Sequence, residues 1–215
     1  PITLHHAAAV SLGGKIYVMG GSSVAPGSQV FEYDLLADSW RTRAPMLAPR
    51  SAHAAVVVGE KIYVVGGVTG TASTNIAGTE VYDPIKDSWE AKAFMPTPRD
   101  HLAVGAVNGK IYAIGGRLRF NYGSNLDVTE MYDPATNAWT AKSPLPTARS
   151  GITASVLNGR VYVFGGESPA GTFADNEGYD PANDTWANFA AMPTARHGLG
   201  AAVLEGIIFV IGGGL

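Results

Sequence analysis

Cysteine is absent from this 215-residue chain. Without it there is neither a disulfide framework nor a thiolate-ligated metal, and the redox compartment stays open. Charge is sparse as well: 15% of residues are charged, the formal net charge is -3, and no run of Lys or Arg occurs. Binding to nucleic acid draws on clustered cations that displace condensed counterions, so no nucleic-acid partner is expected. Long hydrophobic runs are missing too. The stretch AAVVVGEKIYVVGG at 54–67 is broken by charge and glycine, well short of the ~20 apolar residues of a spanning helix, so no membrane span is expected. No window carries helical periodicity of useful length. Neither an initiator methionine nor a signal-like segment stands at Pro1, and the start is expected to be a processed boundary.

What is present is a repeat inside a chain of 46% hydrophobic residues, which is enough to build a core. A double glycine closes an apolar run five times, as KIYVMGG, KIYVVGG, KIYAIGG, RVYVFGG and IIFVIGG, with second glycines at Gly21, Gly67, Gly116, Gly166 and Gly213. The spacings are 46, 49, 50 and 47 residues. Between them lie YDLLADSW, YDPIKDSW, YDPATNAW and YDPANDTW, each followed by an arginine, at Arg50, Arg99, Arg149 and Arg196.

Each unit reads as antiparallel β. Two runs rich in Val, Ile, Ala and Tyr flank a tight turn such as Asn108-Gly109 or Asn158-Gly159, residue types that tolerate the positive φ of a two-residue hairpin. The Asp-Pro segments then put turn formers between a strand ending at Tyr-Asp and one starting at Trp. That predicts two hairpins, hence four strands, per unit.

A strand ending in Gly-Gly, then Tyr-Asp, then Trp six residues after the Asp, at a period near 50, resembles the kelch repeat over the whole chain. The resemblance implies an all-β fold, a kelch-type β-propeller of four-stranded antiparallel blades, with residues 1–215 as one propeller domain. Five first hairpins and four second hairpins give four complete blades plus half of a fifth. Kelch propellers usually close with five to seven blades. The chain is therefore expected either to be a piece of a larger propeller or to complete itself by association with another chain.

Residues that recur in every repeat are read as scaffold. Trp40, Trp89, Trp139 and Trp186 are expected to pack between blades rather than to stack on sugars. The double glycines end strands without opening a helix, so close backbone approach explains them better than phosphate binding. Glu80, Glu130 and Glu177, two residues before the repeat tyrosine, are expected to form buried or half-buried ion pairs with the recurring arginines. The first repeat has Phe31 there instead.

Function is sought where the symmetry breaks. Just after the double glycine stand Ser22, Val68, Arg117, Glu167 and Gly214; two residues after the arginine position stand His6, Ala52, His101, Gly151 and Gly198. In kelch adaptor proteins these two positions sit at the mouth of the channel and bind ligand, so the resemblance nominates Ser22, Arg117, Glu167, His6 and His101. Loop length nominates more. From the second glycine to the next repeat tyrosine the count is 12, 15, 16 and 13 residues. The longest of these segments, RLRFNYGSNLDVTE, holds Arg117, Arg119, Phe120 and Tyr122: arginines fit carboxylates bidentately, and aromatic faces fit side chains or sugar rings.

The five histidines all fall near first-strand starts, yet only His6 and His101 share a register. His5 and His197 lie one residue earlier and His53 one later, on the opposite face of an alternating strand. Three converging ligands are not expected, so no metal site and no cofactor is assigned.

These features favour a non-catalytic binding module for a protein, a peptide or an acidic glycan on the loop face. Two alternatives stand beside it. Kelch-type relatives include bacterial sialic-acid mutarotases, whose acidic substrate Arg117 could clamp while Glu167 or His101 moved a proton. They also include galactose oxidases, whose tyrosine–cysteine cross-link the missing cysteine rules out. The second alternative is a structural role, self-association through blade edges.

Overall fold

The computed structural model describes residues 2–215, which divide after Asp100 into two compact units. The first contains β1 (Ala8–Leu12), β2 (Lys15–Met19), β3 (Val30–Asp34) and β4 (Ser39–Arg43), then β5 (Ala54–Val58) and β6 (Lys61–Val65). A short ribbon follows, β7 (Val68–Thr69) with β8 (Thr74–Asn75), before β9 (Thr79–Asp83) and β10 (Ser88–Lys92). These make two four-stranded antiparallel sheets, β1-β2-β3-β4 and β5-β6-β9-β10.

The second unit repeats the plan with β11 (Ala103–Val107), β12 (Lys110–Ile114), a ribbon of β13 (Arg117–Leu118) and β14 (Asn121–Asn125), β15 (Thr129–Asp133) and β16 (Ala138–Lys142). It continues with β17 (Thr153–Leu157), β18 (Arg160–Phe164), a ribbon of β19 (Glu167–Ser168) and β20 (Gly171–Thr172), β21 (Asn176–Asp180) and β22 (Thr185–Asn188). The sheets are β11-β12-β15-β16 and β17-β18-β21-β22, followed by a two-stranded sheet of β23 (Gly200–Leu204) and β24 (Ile207–Ile211). Among the described residues there are thus four complete blades and half of a fifth, as the repeat count requires.

The turn chemistry follows the sequence. Asn108 and Gly109 both take positive φ, 51° and 74°, the signature of a type I′ turn whose twist matches its strands. In the second hairpins Asp83 Oδ1 accepts from the amides of Ile85 and Lys86 at 3.1 and 3.2 Å. The residue before the last strand, Asp87 in that repeat, is left-handed.

Within each unit, blade packs on blade through alternate strand residues. In the first unit Tyr17, Met19, Val30, Met46, Ile62, Val64 and Tyr82 form the core; in the second it is Tyr112, Ile114, Met131, Leu145, Val161, Val163 and Tyr179. Each such side chain contributes about 1.5–3 kcal/mol on burial. The next blade is what seals this face of a second strand: Tyr112 and Ile114 of β12, clustered with Val161, Val163 and Tyr179, are 5% and 0% exposed. Phe209 and Ile211 of β24, with no following blade among the described residues, are 43% and 67% exposed.

The double glycines work by close approach. A Cβ on Gly20 would lie 2.6 Å from both the Arg50 carbonyl oxygen and His53 Cε1, and one on Gly115 would lie 2.8 Å from the Arg149 carbonyl. The second glycine of each pair donates its amide to that same arginine carbonyl, Gly21 to Arg50 and Gly116 to Arg149, both at 3.0 Å. The side chains of Arg50, Arg99 and Arg149 are fully buried, and two of them pair with the expected glutamates, Arg50 with Glu80 and Arg149 with Glu177. Arg50 also donates to the Gly66 and Gly78 carbonyls at 3.1 and 2.9 Å.

The tryptophans follow the expected packing between blades only in part: Trp89 and Trp186 pack against the cores, Trp40 does not. Each lies on the outermost strand of its blade, where one face stays open, and stacks on its own repeat tyrosine at 4.9–5.2 Å. Trp89 and Trp186 do bridge blades: their indole N–H groups donate to the carbonyls of Ala44 and Ser143 in the preceding blade, both at 2.9 Å. Trp40 is 46% exposed.

Candidate functional site

The segment after Gly116 is a β-hairpin rather than an open loop. Leu118 of β13 faces Asn121 of β14, and the two residues between them, Arg119 and Phe120, have φ of 53° and 58°. That is again the type I′ geometry, which favours Asn-Gly; bulky side chains there cost about 1–2 kcal/mol each. Ser124 Oγ staples the hairpin, donating to the Asn121 carbonyl at 2.7 Å and accepting from the Leu118 amide at 3.2 Å. At its far end Asn125 Nδ2 donates to the Glu167 carbonyl at 2.6 Å, tying it to the next repeat.

This hairpin folds its aromatic residues over Arg117. The guanidinium lies 4.7 Å from the Tyr122 ring centroid and 5.7 Å from that of Phe120, within cation–π range. Phe120 also meets the His101 ring edge-to-face at 4.6 Å. On its other side Arg117 donates to Glu167 Oε1 at 2.5 Å and to Ser150 Oγ at 3.3 Å, and its Nη2 is 3.0 Å from His101 Nε2. Arg117 is buried at 3% exposure. Glu167 has space for its side chain because the neighbouring repeat position is Gly151, where a Cβ would come within 3.0 Å of Glu167 Oε1. The second carboxylate oxygen lies 3.7 Å from His197 Nε2.

Five of the nominated residues thus meet in the second unit: Arg117, Glu167, His101, Phe120 and Tyr122. Arg119, at the turn, is exposed, and Tyr122 is half exposed. His6 and Ser22 belong to the first unit, where Ser22 and His5 exchange backbone hydrogen bonds at 2.9 and 3.0 Å, and the Nδ1 atoms of His5 and His6 are 2.6 Å apart. Ser150, Asn125 and His197 were not nominated. Ser150 and His197 directly follow a repeat arginine, and that position bridges to the residue after the double glycine, Ser150 with Glu167 and His197 with Gly214. Pairing the two positions across the repeat would have found them.

The other nominated position has a backbone role common to all five repeats. His6, Ala52, His101, Gly151 and Gly198 are all left-handed, with φ of 51–65°. They form ladders: the Ala52 amide donates to the His6 carbonyl at 2.9 Å in the first unit. In the second, Gly151 donates to His101 at 3.1 Å and Gly198 to Gly151 at 2.8 Å.

Four-stranded antiparallel blades strung at a period near 50, with variable residues gathered after each double glycine, define a β-propeller. The fold agrees with a solved structure described as "Structure of YjhT", at a TM-score of 0.85 and 17% identity over 99% of this chain and 73% of that one. The sequence profile of the KLHDC2/KLHL20/DRC7 Kelch-repeats domain matches residues 1–144 and 90–215. The chain belongs to the kelch-repeat family. Similar curated proteins include the F-box/kelch-repeat protein SKIP30 of Arabidopsis thaliana, 38% identical over 91 residues, which are 37% of this chain and 26% of that protein. Kelch-like protein 38 of Mus musculus is 36% identical over 87 residues, 38% of this chain and 15% of that protein. The matched stretch is therefore about a quarter or less of each relative's length. No helix among the described residues is long and apolar enough to cross a membrane.

Proposed function

We propose that this kelch domain is a non-catalytic interaction module that binds a protein or peptide of acidic character through the 117–125 hairpin. The observation that carries the reading is the division of labour in that hairpin. Arg117, held by Glu167 and His101, anchors its base, while Leu118, Arg119 and Tyr122 stand exposed around the turn. An arginine beside an aromatic and an aliphatic face on a fixed β scaffold suits a carboxylate flanked by apolar groups. Kinship with F-box/kelch and Kelch-like proteins supports a protein partner.

The test is a fluorescence-anisotropy screen of acidic, neutral and basic peptide libraries, followed by Arg119→Ala and Tyr122→Ala. Each variant is expected to weaken the best acidic ligand about tenfold or more, about 1.4 kcal/mol. If both leave every detected ligand unaffected, the hairpin is not the binding surface. Faster anomeric exchange of sialic acid, followed by NMR and abolished in Glu167→Gln, would replace this reading with the carbohydrate-active one.

A further inference from the structure

A buried histidine sits where the other repeats carry an aliphatic residue. Three positions after the repeat arginine stand Leu102, Ile152 and Leu199, but in the second repeat the residue is His53. It is 7% exposed, and neither ring nitrogen makes a well-formed hydrogen bond. The ring lies between two double-glycine turns of the first unit. Its Cε1 occupies the space a Cβ on Gly20 would need, and its own Cβ lies where a side chain on Gly67 would go. Those turns carry Ser22 and Val68, the residues the first unit presents at the variable position.

The charged group facing the ring is the Arg50 guanidinium, itself buried and paired with Glu80; from the β2 side the Met19 backbone faces it. Leucine and isoleucine need nothing from their surroundings there. An imidazolium needs two acceptors, and Arg50 adds like charge beside it.

We infer that His53 is a proton-sensitive element of the core: the first unit packs its two double-glycine turns around a ring that must stay neutral, so acid favours the unfolded chain, in which the ring is free to take up a proton. Burial first, then the Arg50 charge, lower the ring's pKa from 6.5 to about 3, against a weaker opposing pull from the Met19 backbone. The sign follows from linkage. The unfolded chain takes up the proton as pH falls through 6.5 and the folded chain does not, so stability from this site is complete above that pH and declines below it.

The experiment is chemical denaturation of the full chain from pH 5 to pH 8, with His53→Leu alongside, the change to the residue two other repeats carry. Below pH 6.5 the wild-type folded-to-unfolded ratio is expected to fall by up to tenfold per pH unit more steeply than that of the variant. His53→Gln, polar but not titratable, should also lack the steep limb and serves if His53→Leu does not fold. Native-state NMR adds an independent reading: the His53 Cε1 signal should stay that of neutral imidazole at pH 5. A ring that titrates near pH 6 in the folded protein, or parallel stability profiles for wild type and variants, would overturn the inference.

Discussion

Arg117 and Glu167 hold the same position in successive repeats, directly after the double glycine, and their side chains meet at 2.5 Å. In repeats one and two that position holds Ser22 and Val68. One blade of the second unit thus offers a cation and the next an anion, and each compensates a charge the other could not bury alone.

Removing one partner should therefore cost more than removing both. Arg117→Ala leaves a carboxylate of 14% side-chain exposure without its arginine partner, at an expected cost of about 2–4 kcal/mol in urea denaturation. Adding Glu167→Gln should recover part of this, with a coupling energy of about 1–3 kcal/mol in the double-mutant cycle. Strictly additive effects would mean that the pair contributes nothing as a pair.

The hairpin turn separates stability from recognition. Replacing Arg119 with Asn and Phe120 with Gly gives the residues a type I′ turn prefers and should raise stability by about 1 kcal/mol or leave it unchanged. The same change deletes the ring that meets His101 and the exposed guanidinium, so binding of an acidic peptide should fall at least tenfold. Retained binding would move the recognition surface elsewhere.

Asp184 offers a pH test with a control inside the chain. The hydrogen bond from the Tyr179 hydroxyl, then that from the Ser143 amide, hold its carboxyl below the ordinary 3.8. A group depressed in the folded state stabilises above its unfolded pKa and loses that contribution as pH falls through 3.8 and below. Asp184→Asn should fold nearly as well at pH 7, because Tyr132 donates equivalently to Asn137 at 2.8 Å, and should flatten the acid limb of the stability curve below pH 4. An unchanged acid limb would assign that sensitivity to other carboxylates.

Arg149 and Arg196 should differ in importance although each closes the same Pro-Thr-Ala-Arg segment. Arg149 is fully buried and binds Glu177 together with the Gly165 and Thr147 carbonyls. Arg149→Lys cannot reproduce that fork and should cost about 3 kcal/mol. Arg196, partly exposed, donates to the Gly212 carbonyl at 2.9 Å, and Arg196→Lys should cost less than about 1 kcal/mol. Equal denaturation midpoints for the two variants would contradict the ranking.

Much of this architecture was readable from residues 1–215 because repetition amplifies weak local signals. One Asn-Gly between apolar runs suggests a hairpin; five turns at one spacing leave little else. The glycines, the Tyr-Asp turns and the Arg50–Glu80 and Arg149–Glu177 pairs follow from the repeat, since each depends on contacts within a repeat or with its neighbour. For the tryptophans, recurrence says that a side chain packs but not on how many faces. Trp40 and Trp186 share a motif, yet only the indole of Trp186 is seen to reach a preceding carbonyl. The 117–125 segment read as a long loop because Arg119-Phe120 is poor type I′ turn chemistry.

By itself, then, the sequence determined the period, the strands, the turns and the positions where the repeats differ, all consequences of short-range backbone preference and burial. Tertiary structure alone decided what those differing positions do together. Arg117 and Glu167 are fifty residues apart and Arg117 and Ser150 thirty-three, and no local preference specifies that an ion pair, two aromatic rings and a histidine converge. That depends on how far each blade turns relative to the next, which is set by the packing of Met131, Val161 and their neighbours in the core.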